Sequence, residues 1–323
     1  MRKSLLLLLS SCLIAPVLMA GAQAQTYPDH PIRLVIPFPP GGGTDIAARL
    51  VGEKLGAALG QAVVPENKPG ANGVIASELV ARAAPDGYTL LVATGSSHAF
   101  APALGVKLPF DPVKDFVPVA LIGLFPTVLV VNPAVPARTM REFVDYARKN
   151  PGRVNYGSAG NGSTNHFLGE LIKQVAGIDM VHVPYKGSGP ASQDLLAGQI
   201  QAMVDSVAAA KGNIEAGKLR ALGVTTPQRV GQLPDVPSLK EAGYDIEYAG
   251  WVVIMAPAGT PQPIVNRLHA AIAAVMADPA VVDRYNRQGI VIQPMAPSDL
   301  AAFLRSDKER WAAVAAKARL TAE

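Results

Sequence analysis

The residue types able to do chemistry gather in one stretch, Asn155-Tyr156-Gly157-Ser158-Ala159-Gly160-Asn161-Gly162-Ser163-Thr164-Asn165-His166. Glycines at 157, 160 and 162 let backbone come close to a bound group. Ser158, Ser163, Thr164 and Asn165 supply hydroxyls and an amide that cap a helix or donate to a ligand. Downstream, Phe167, Leu168, Leu171, Ile172 and Val175 recur at helical spacing as far as Gly177, and upstream Arg153 to Tyr156 closes a strand. A helix start carries unpaired N–H groups and a partial positive charge, which favours an anion. The stretch contains no Lys or Arg, so an anion here would be held by dipoles rather than by an ion pair. Taken alone, it reads equally as a turn followed by an ordinary helix cap.

Two further stretches share the pattern. Ile32 to Ile36 is a buried-strand signal running into Pro37-Phe38-Pro39-Pro40-Gly41-Gly42-Gly43-Thr44-Asp45, after which Ile46, Leu50 and Leu55 mark a helix that Gly60 ends. Thr44 or Asp45 is the expected cap; Asp45 is also a candidate contact to an amine or hydroxyl, with capping favoured. The β-rich run Tyr88 to Ala93 ends in Thr94-Gly95-Ser96-Ser97-His98, read as a third polar loop.

The tests for catalysis come out negative. Gly187-Ser188-Gly189-Pro190-Ala191-Ser192 approaches a dinucleotide fingerprint, but Ser192 stands where the third glycine belongs and Pro190 lacks a backbone donor. There is no Gly-x-Ser-x-Gly, no Gly-x-x-x-x-Gly-Lys-Ser/Thr and no His-Glu-x-x-His. Ser163 lies near His166, yet a serine triad is assembled from distant residues. The histidines are scattered, and each is read as a surface or hydrogen-bonded side chain, His98 included. No catalytic residue, metal site or cofactor is assigned. Lys186 is either an anion contact or a solvated loop-tip lysine, the second being the default for Lys.

The elements that must position these loops follow from composition and order. The 323 residues suffice for two domains of ordinary size. Arg2-Lys3, the apolar runs Leu5 to Leu9 and Leu13 to Leu18, and Ala22-Gln23-Ala24 fit a signal peptide over residues 1–24, cut after Ala24, and hence an exported protein. Leu9-Ser10-Ser11-Cys12 resembles a lipoprotein acylation site, but a cut there would leave Leu13-Ile14 and Val17-Leu18-Met19 as an apolar tail. Cys12 is the only cysteine, so the mature chain lacks disulfides and thiolates. The formal charge of +4 falls to +2 when Arg2 and Lys3 leave, too little and too dispersed for nucleic acid.

Strands at Val63-Val64, Phe116 to Ile122, Thr127 to Val131, Val181 to Tyr185, Ala202 to Ser206, Leu219 to Val224 and Trp251 to Pro257 alternate with helices over Val74 to Ala83, Met140 to Lys149, Pro263 to Met276 and Ser298 to Ala318. Such alternation predicts an α/β fold with two mostly parallel sheets and flanking helices, whose glycine loops beyond the strand ends face one cleft. Lobe 1 is placed at 25–124 plus 251–323 and lobe 2 at 125–250, with hinges near Phe125 and Trp251.

Taken in order, Pro37 to Asp45, Asn67-Lys68-Pro69-Gly70-Ala71-Asn72-Gly73, Pro85-Asp86-Gly87-Tyr88-Thr89-Leu90, Leu108-Pro109-Phe110-Asp111, Asn155 to His166, His182 to Gly187, Gly217 to Leu222, Leu233-Pro234-Asp235-Val236-Pro237 and Ala256 to Pro261 strongly resemble the tripartite tricarboxylate transporter substrate-binding receptors, the Bug-type receptors. The resemblance covers essentially the whole mature chain. It implies a two-lobed periplasmic binding protein, type II-like, that closes on a mono-, di-, tri- or aromatic carboxylate and delivers it to membrane permease subunits. It also implies that a ligand carboxylate is held by Phe38, Gly41, Gly42, Gly43, Thr44 and Asp45 of one loop and Ser158, Gly160, Gly162, Ser163, Thr164 and Asn165 of the other. Thr94, Ser96, Tyr185, Lys186, Gly187 and Asp205 are carried over from flanking loops. Trp251-Val252-Val253 departs from the family's usual Trp-x-Gly. A monomer is expected. Two other readings stay open: the same receptor serving a membrane sensor kinase, and a periplasmic hydrolase or lyase.

Overall fold

The computed structural model describes residues 27–322. The signal peptide, its cut after Ala24 and the Cys12 alternative lie outside the described residues. In the strand β1 (Ile32–Ile36), Ile32, Leu34, Val35 and Ile36 are all fully buried, as a strand covered on both faces requires. It is followed by α1 (Gly43–Leu59), β2 (Val63–Asn67), a single turn of 3₁₀ helix at Ala71–Gly73, α2 (Val74–Ala81) and β3 (Thr89–Thr94). Next come a π-helical turn (Ser96–Phe100), α3 (Ala101–Ala103), β4 (Phe116–Val131) and α4 (Met140–Lys149). The second unit holds β5 (Asn155–Ser158), α5 (Thr164–Ala176), β6 (Val181–Pro184), α6 (Ser188–Leu196), β7 (Ala202–Ser206), α7 (Val207–Glu215) and β8 (Arg220–Val224). The chain returns through β9 (Ala249–Pro257), α8 (Gln262–Met276), α9 (Pro279–Arg287) and α10 (Pro297–Ala318).

The strand order is β2-β1-β3-β9-β4-β7-β5-β6, with β8 also against β4. Pairings β1–β2, β1–β3, β5–β6 and β5–β7 are parallel. The antiparallel ones all involve β4 or β9, the strands that pass between the two halves. Sequence reasoning broke β4 at Gly123 to Pro126, but it is one strand of 16 residues. Register shifts between Pro118 and Ala120 and between Leu121 and Gly123 bend it without ending it, so its first half pairs with β9 and its second with β7 and β8. Pro126 still stands opposite Ala249, where a missing N–H is tolerated near a strand end. The expectation also lacked α7 and α9. Val207 and Ala210 of α7 are buried among alanines and a glycine, too little apolar contrast for a periodicity signal.

Each half has apolar layers on both faces of its sheet. Around β1, β3 and β9, Leu50, Val51 and Leu55 of α1 meet Leu268 and Ile272 of α8 on one face, while Ala76 and Val80 of α2 meet Leu300 of α10 on the other. Around β4, β5 and β7, Phe143 of α4 and Phe167 and Leu168 of α5 fill one face, and Leu195 of α6 with Val207 of α7 the other. The end of α10 packs in the second half: Trp311, Val314 and Ala315 join the layer built by Leu129, Phe143 and Phe167. Phe100, from the turn after β3, joins them, stacking on Phe167 at 4.6 Å and meeting Trp311 edge-on at 5.1 Å. No single helix among the described residues is long and apolar enough to cross a membrane.

Asp307 of α10 pins this junction. Its carboxylate accepts Trp251 Nε1–H and Trp311 Nε1–H, each at 2.8 Å, one from the crossing strand β9 and one from its own helix. Burial pushes its carboxyl above the usual range, against the two indole bonds and the Arg310 charge. Asp307→Asn would present an amide N–H to one indole N–H, so we expect a loss of about 1–3 kcal/mol in urea unfolding. Because Trp251 and Trp311 are the chain's 2 tryptophans, their emission should shift with it. An unaltered urea midpoint and spectrum would remove the carboxylate from this role.

Candidate functional site

The first glycine loop leaves β1 at Ile36 and enters α1. Neither Thr44 nor Asp45 caps the helix: it begins at Gly43, its N-cap is Gly42 in extended conformation, and no side chain caps it. Asp45 instead reaches back across the loop. Its carboxylate accepts Gly41 N–H at 2.9 Å, Arg49 Nε–H at 2.9 Å and Asn67 Nδ2–H at 2.8 Å. Asn67 also donates to the Phe38 carbonyl at 2.8 Å. Burial works against the charge on Asp45, but these hydrogen bonds outweigh it and hold the carboxyl below its ordinary range. With its carboxylate so committed, Asp45 acts as the loop's internal tie. Gly41, at φ +92°, and Gly42 face open space where a Cβ would sit. Gly43 lies against Phe125, since a Cβ there would stand 2.8 Å from the ring's Cε1.

The second loop leaves β5 at Ser158, which is fully buried. Ser158 Oγ lies 2.6 Å from His182 Nε2 and accepts Gly160 N–H at 3.1 Å. Gly160 and Gly162 have φ of +123° and +72°, so the turn needs residues without a Cβ, and one at Gly162 would meet Leu104 Cδ1 at 2.5 Å. Gly162 N–H donates to His166 Nδ1 at 3.1 Å. Ser163 caps α5 by accepting His166 N–H. Asn165 Nδ2 donates to the Val204 carbonyl, tying α5 to β7. The Thr164 side chain lies beside the buried phenol of Tyr248.

Strand register decides which remaining residues join these loops. Val35 of β1 pairs with Leu91 of β3, which brings Thr94 level with the first loop. Gly157 pairs with Met203 and Ser158 with Pro184, so Tyr185, Gly187 and Asp205 flank the second loop. Tyr185 N–H and Gly187 N–H donate to the carbonyls of Ser158 and Ala159. Tyr185 OH is engaged with Asp194 at 2.7 Å, while Lys186 is exposed. Asp205 is buried, accepts Ser206 N–H at 2.8 Å and is pushed up by burial. Between the halves, β4 places Phe125 opposite Gly250 and Thr127 opposite Ser206, so both sets of strand ends meet at Phe125 to Thr127.

The stretch after Thr94 is a correction. It forms the π-helical turn Ser96–Phe100 rather than a loop, so Ser97 and His98 turn into the core and Ser96 alone stays half-buried. His98 is 4% exposed, packs against Phe116 at 5.0 Å and is held neutral by burial, down to about 3. Sequence reasoning placed Phe125 at a crossing between the halves but not against Gly43, and assigned no site role to Leu104, Asn67 or His182. Leu104 is an apolar residue with no local signal, and Asn67 and His182 reach the loops through sheet register. A cavity of about 1030 Å³ with Leu124, Lys211, Arg229 and Arg287 on its wall includes none of the glycine-loop residues.

Chemically, the site offers backbone N–H groups at two helix starts. Ser158 and His182 form a serine–imidazole contact, but the hydroxyl is fully buried and already receives Gly160 N–H, which leaves it no approach to a substrate. Among the described residues no group of three or more His, Cys, Asp or Glu could hold a metal. The seat of α5 is close-packed: a Cβ at Gly169 would lie 2.1 Å from Tyr156 Cε2. Gly169→Ala is therefore expected to destabilise by about 1–3 kcal/mol despite the gain in helix propensity. Chemical denaturation checks it, and a more stable variant would contradict the packing.

Residues 47–320 match the family described as tripartite tricarboxylate transporter family receptor. BugT of Bordetella pertussis is 37% identical over 297 residues, covering 91% of this chain and 91% of its own. MatC of Rhodopseudomonas palustris, solved with bound malate, is 36% identical at TM-score 0.73, covering 89% of this chain and 99% of its own. Rpa4515 of the same organism, solved with adipate, is 35% identical at TM-score 0.77, covering 91% and 99%. The shared fold is that of the periplasmic binding proteins.

Proposed function

The chain belongs to the tripartite tricarboxylate transporter receptor family, and from that premise we propose that it captures a small carboxylate between the two glycine loops and delivers it, unchanged, to membrane permease subunits. The observation that carries this reading is the pair of helix starts, α1 without any side-chain cap and α5 capped by Ser163 alone, at strand ends that meet around Phe125. Their N–H groups and dipoles suit one carboxylate, and intervening water adapts the same clamp to different acids. Malate and adipate in MatC and Rpa4515 support a carboxylate here.

In this reading the N–H groups of Gly42 to Thr44 and of Thr164 supply the donors, while Gly41, Gly160 and Gly162 are held within their own loops, and Phe38, Thr94, Ser96, Ser158, Ser163, Asn165, Tyr185, Lys186, Gly187 and Asp205 shape the walls. Asp45 holds the first loop rather than the ligand, since its carboxylate is taken by Gly41, Arg49 and Asn67. Residues 25–124 with 251–323 form one lobe and 125–250 the other, α10 bridging them, and the protein works in the periplasm as a monomer. Ligand closes the lobes about Phe125 and Trp251.

A thermal-shift screen of mono-, di-, tri- and aromatic carboxylates, malate and adipate included, tests the reading. A ligand at a hundred times its Kd should stabilise by about 2.7 kcal/mol, and mass spectrometry should recover it unaltered. Chemical conversion would replace the receptor with an enzyme. Ser163→Asp, which sets a like charge at the start of α5, should weaken binding about tenfold or more by calorimetry. Unchanged affinity would move the site elsewhere. Small-angle scattering should show compaction with saturating ligand, and superimposable curves would rule out closure.

A further inference from the structure

His166 and His182 are 16 positions apart in sequence, yet their imidazoles stack, centroids 3.8 Å apart and planes within 6°. His166 comes from the first turn of α5, and His182 from β6. Tyr156 of β5 continues the stack, 5.0 Å from His182. Both rings hold the second glycine loop. Gly162 N–H donates to His166 Nδ1 at 3.1 Å, so the neutral ring carries its proton on Nε2. Ser158 Oγ stands 2.6 Å from His182 Nε2 and receives Gly160 N–H. The stack therefore grips the loop at Ser158, where the strand ends, and at Gly162, just before the cap of α5.

Three features keep the rings neutral. Burial leaves His166 8% exposed, the start of α5 disfavours a cation on it, and a charge on either ring opposes a charge on the other at stacking distance. The charged and titratable groups that face them are Glu170 and Lys173 of α5 and Tyr156 of β5. Glu170 favours protonation, but its carboxylate already accepts Tyr156 OH at 2.7 Å and Lys173 Nζ–H at 2.9 Å. Burial is the largest influence on both rings; it lowers His166 and, with the neighbouring ring, lowers His182 to about 4.

We propose that the His166–His182 stack is the positioning element of the anion-binding loop, and that protonating it releases Gly162 and with it the loop. A proton on His166 Nδ1 removes the lone pair that Gly162 N–H uses, and the new charge lies against the other ring. Because the folded rings bind protons less readily than unfolded ones, this order is kept at neutral pH and is lost only as pH falls below the ordinary imidazole range. The inference rests on the proposed function only for the word anion; the loop's dependence on the stack does not need a ligand.

The test uses the protein without added carboxylate. NMR should find His166 Nδ1 unprotonated at neutral pH. Gly162 amide exchange, corrected for its intrinsic pH dependence, should accelerate about tenfold as the imidazoles titrate. His166→Asn, whose Oδ1 can take the place of Nδ1, should keep the protection and lose its pH dependence; His166→Phe should lose protection at every pH. Flat Gly162 protection through the wild-type imidazole titration overturns the proposal, as does protection in His166→Phe equal to wild type. Wild type alone decides the question if a variant fails to fold. If no carboxylate binds at any pH, the proposed function falls while the amide result stands.

Discussion

The proposed site depends on keeping backbone N–H groups at two helix starts available while the side chains that tie the two loops are satisfied by one another. A peptide donor has no side chain to aim it, so its direction is set by the loop it belongs to, and a loop rich in glycine is the least constrained kind. The protein fixes each loop from behind. In the first, Asp45 takes Gly41 N–H while Arg49 and Asn67 fix the carboxylate. In the second, Ser158, His166 and His182 do the same for Gly160 and Gly162. The two solutions differ in charge: a buried carboxylate paired with Arg49 in one, two neutral rings in the other. Buried polar groups that have found their partners give such a loop one conformation, at the expense of sensitivity to anything that changes a partner's protonation.

The second constraint is that each half keeps apolar cores of its own. Each sheet is covered on both faces by its own helices, which leaves β4, β9 and α10 to join them. A strand that runs through both sheets can twist between them, and β4 carries register shifts in both its halves, two against β9 and one, between Leu129 and Val130, against β8. The C-terminal helix adds an aromatic contact in which Phe100, Phe167, Tyr248 and Trp311 meet. Asp307 orders the indoles on either side of the junction. Tyr248 also lies beside Thr164 at the start of α5, which brings this aromatic group up to the second glycine loop.

Much of this was legible in the chain. Helix α4 has the bounds that its apolar spacing gave, and α5 runs from its Ser163 cap to Gly177, whose φ of +60° ends it as a C-cap glycine does. Phe116 to Pro126 misled, because Gly123 and Pro126 signal a break wherever no neighbouring strand holds them extended. Thr94 to His98 misled in the opposite sense, since its small polar residues read as a loop while Phe100 was already committed to the far core.

The sequence by itself determined which segments are strands and helices in the main, where the glycine turns fall, and the ordered motifs that mark the family, because these depend on neighbours within a few residues. Only the tertiary structure decided that Asp45 serves the loop rather than capping the helix, that Phe125 lies beneath Gly43, and that His166 meets His182. Those contacts are set by which strands lie side by side, and strand order is a property of the whole sheet that no local stretch of residues contains.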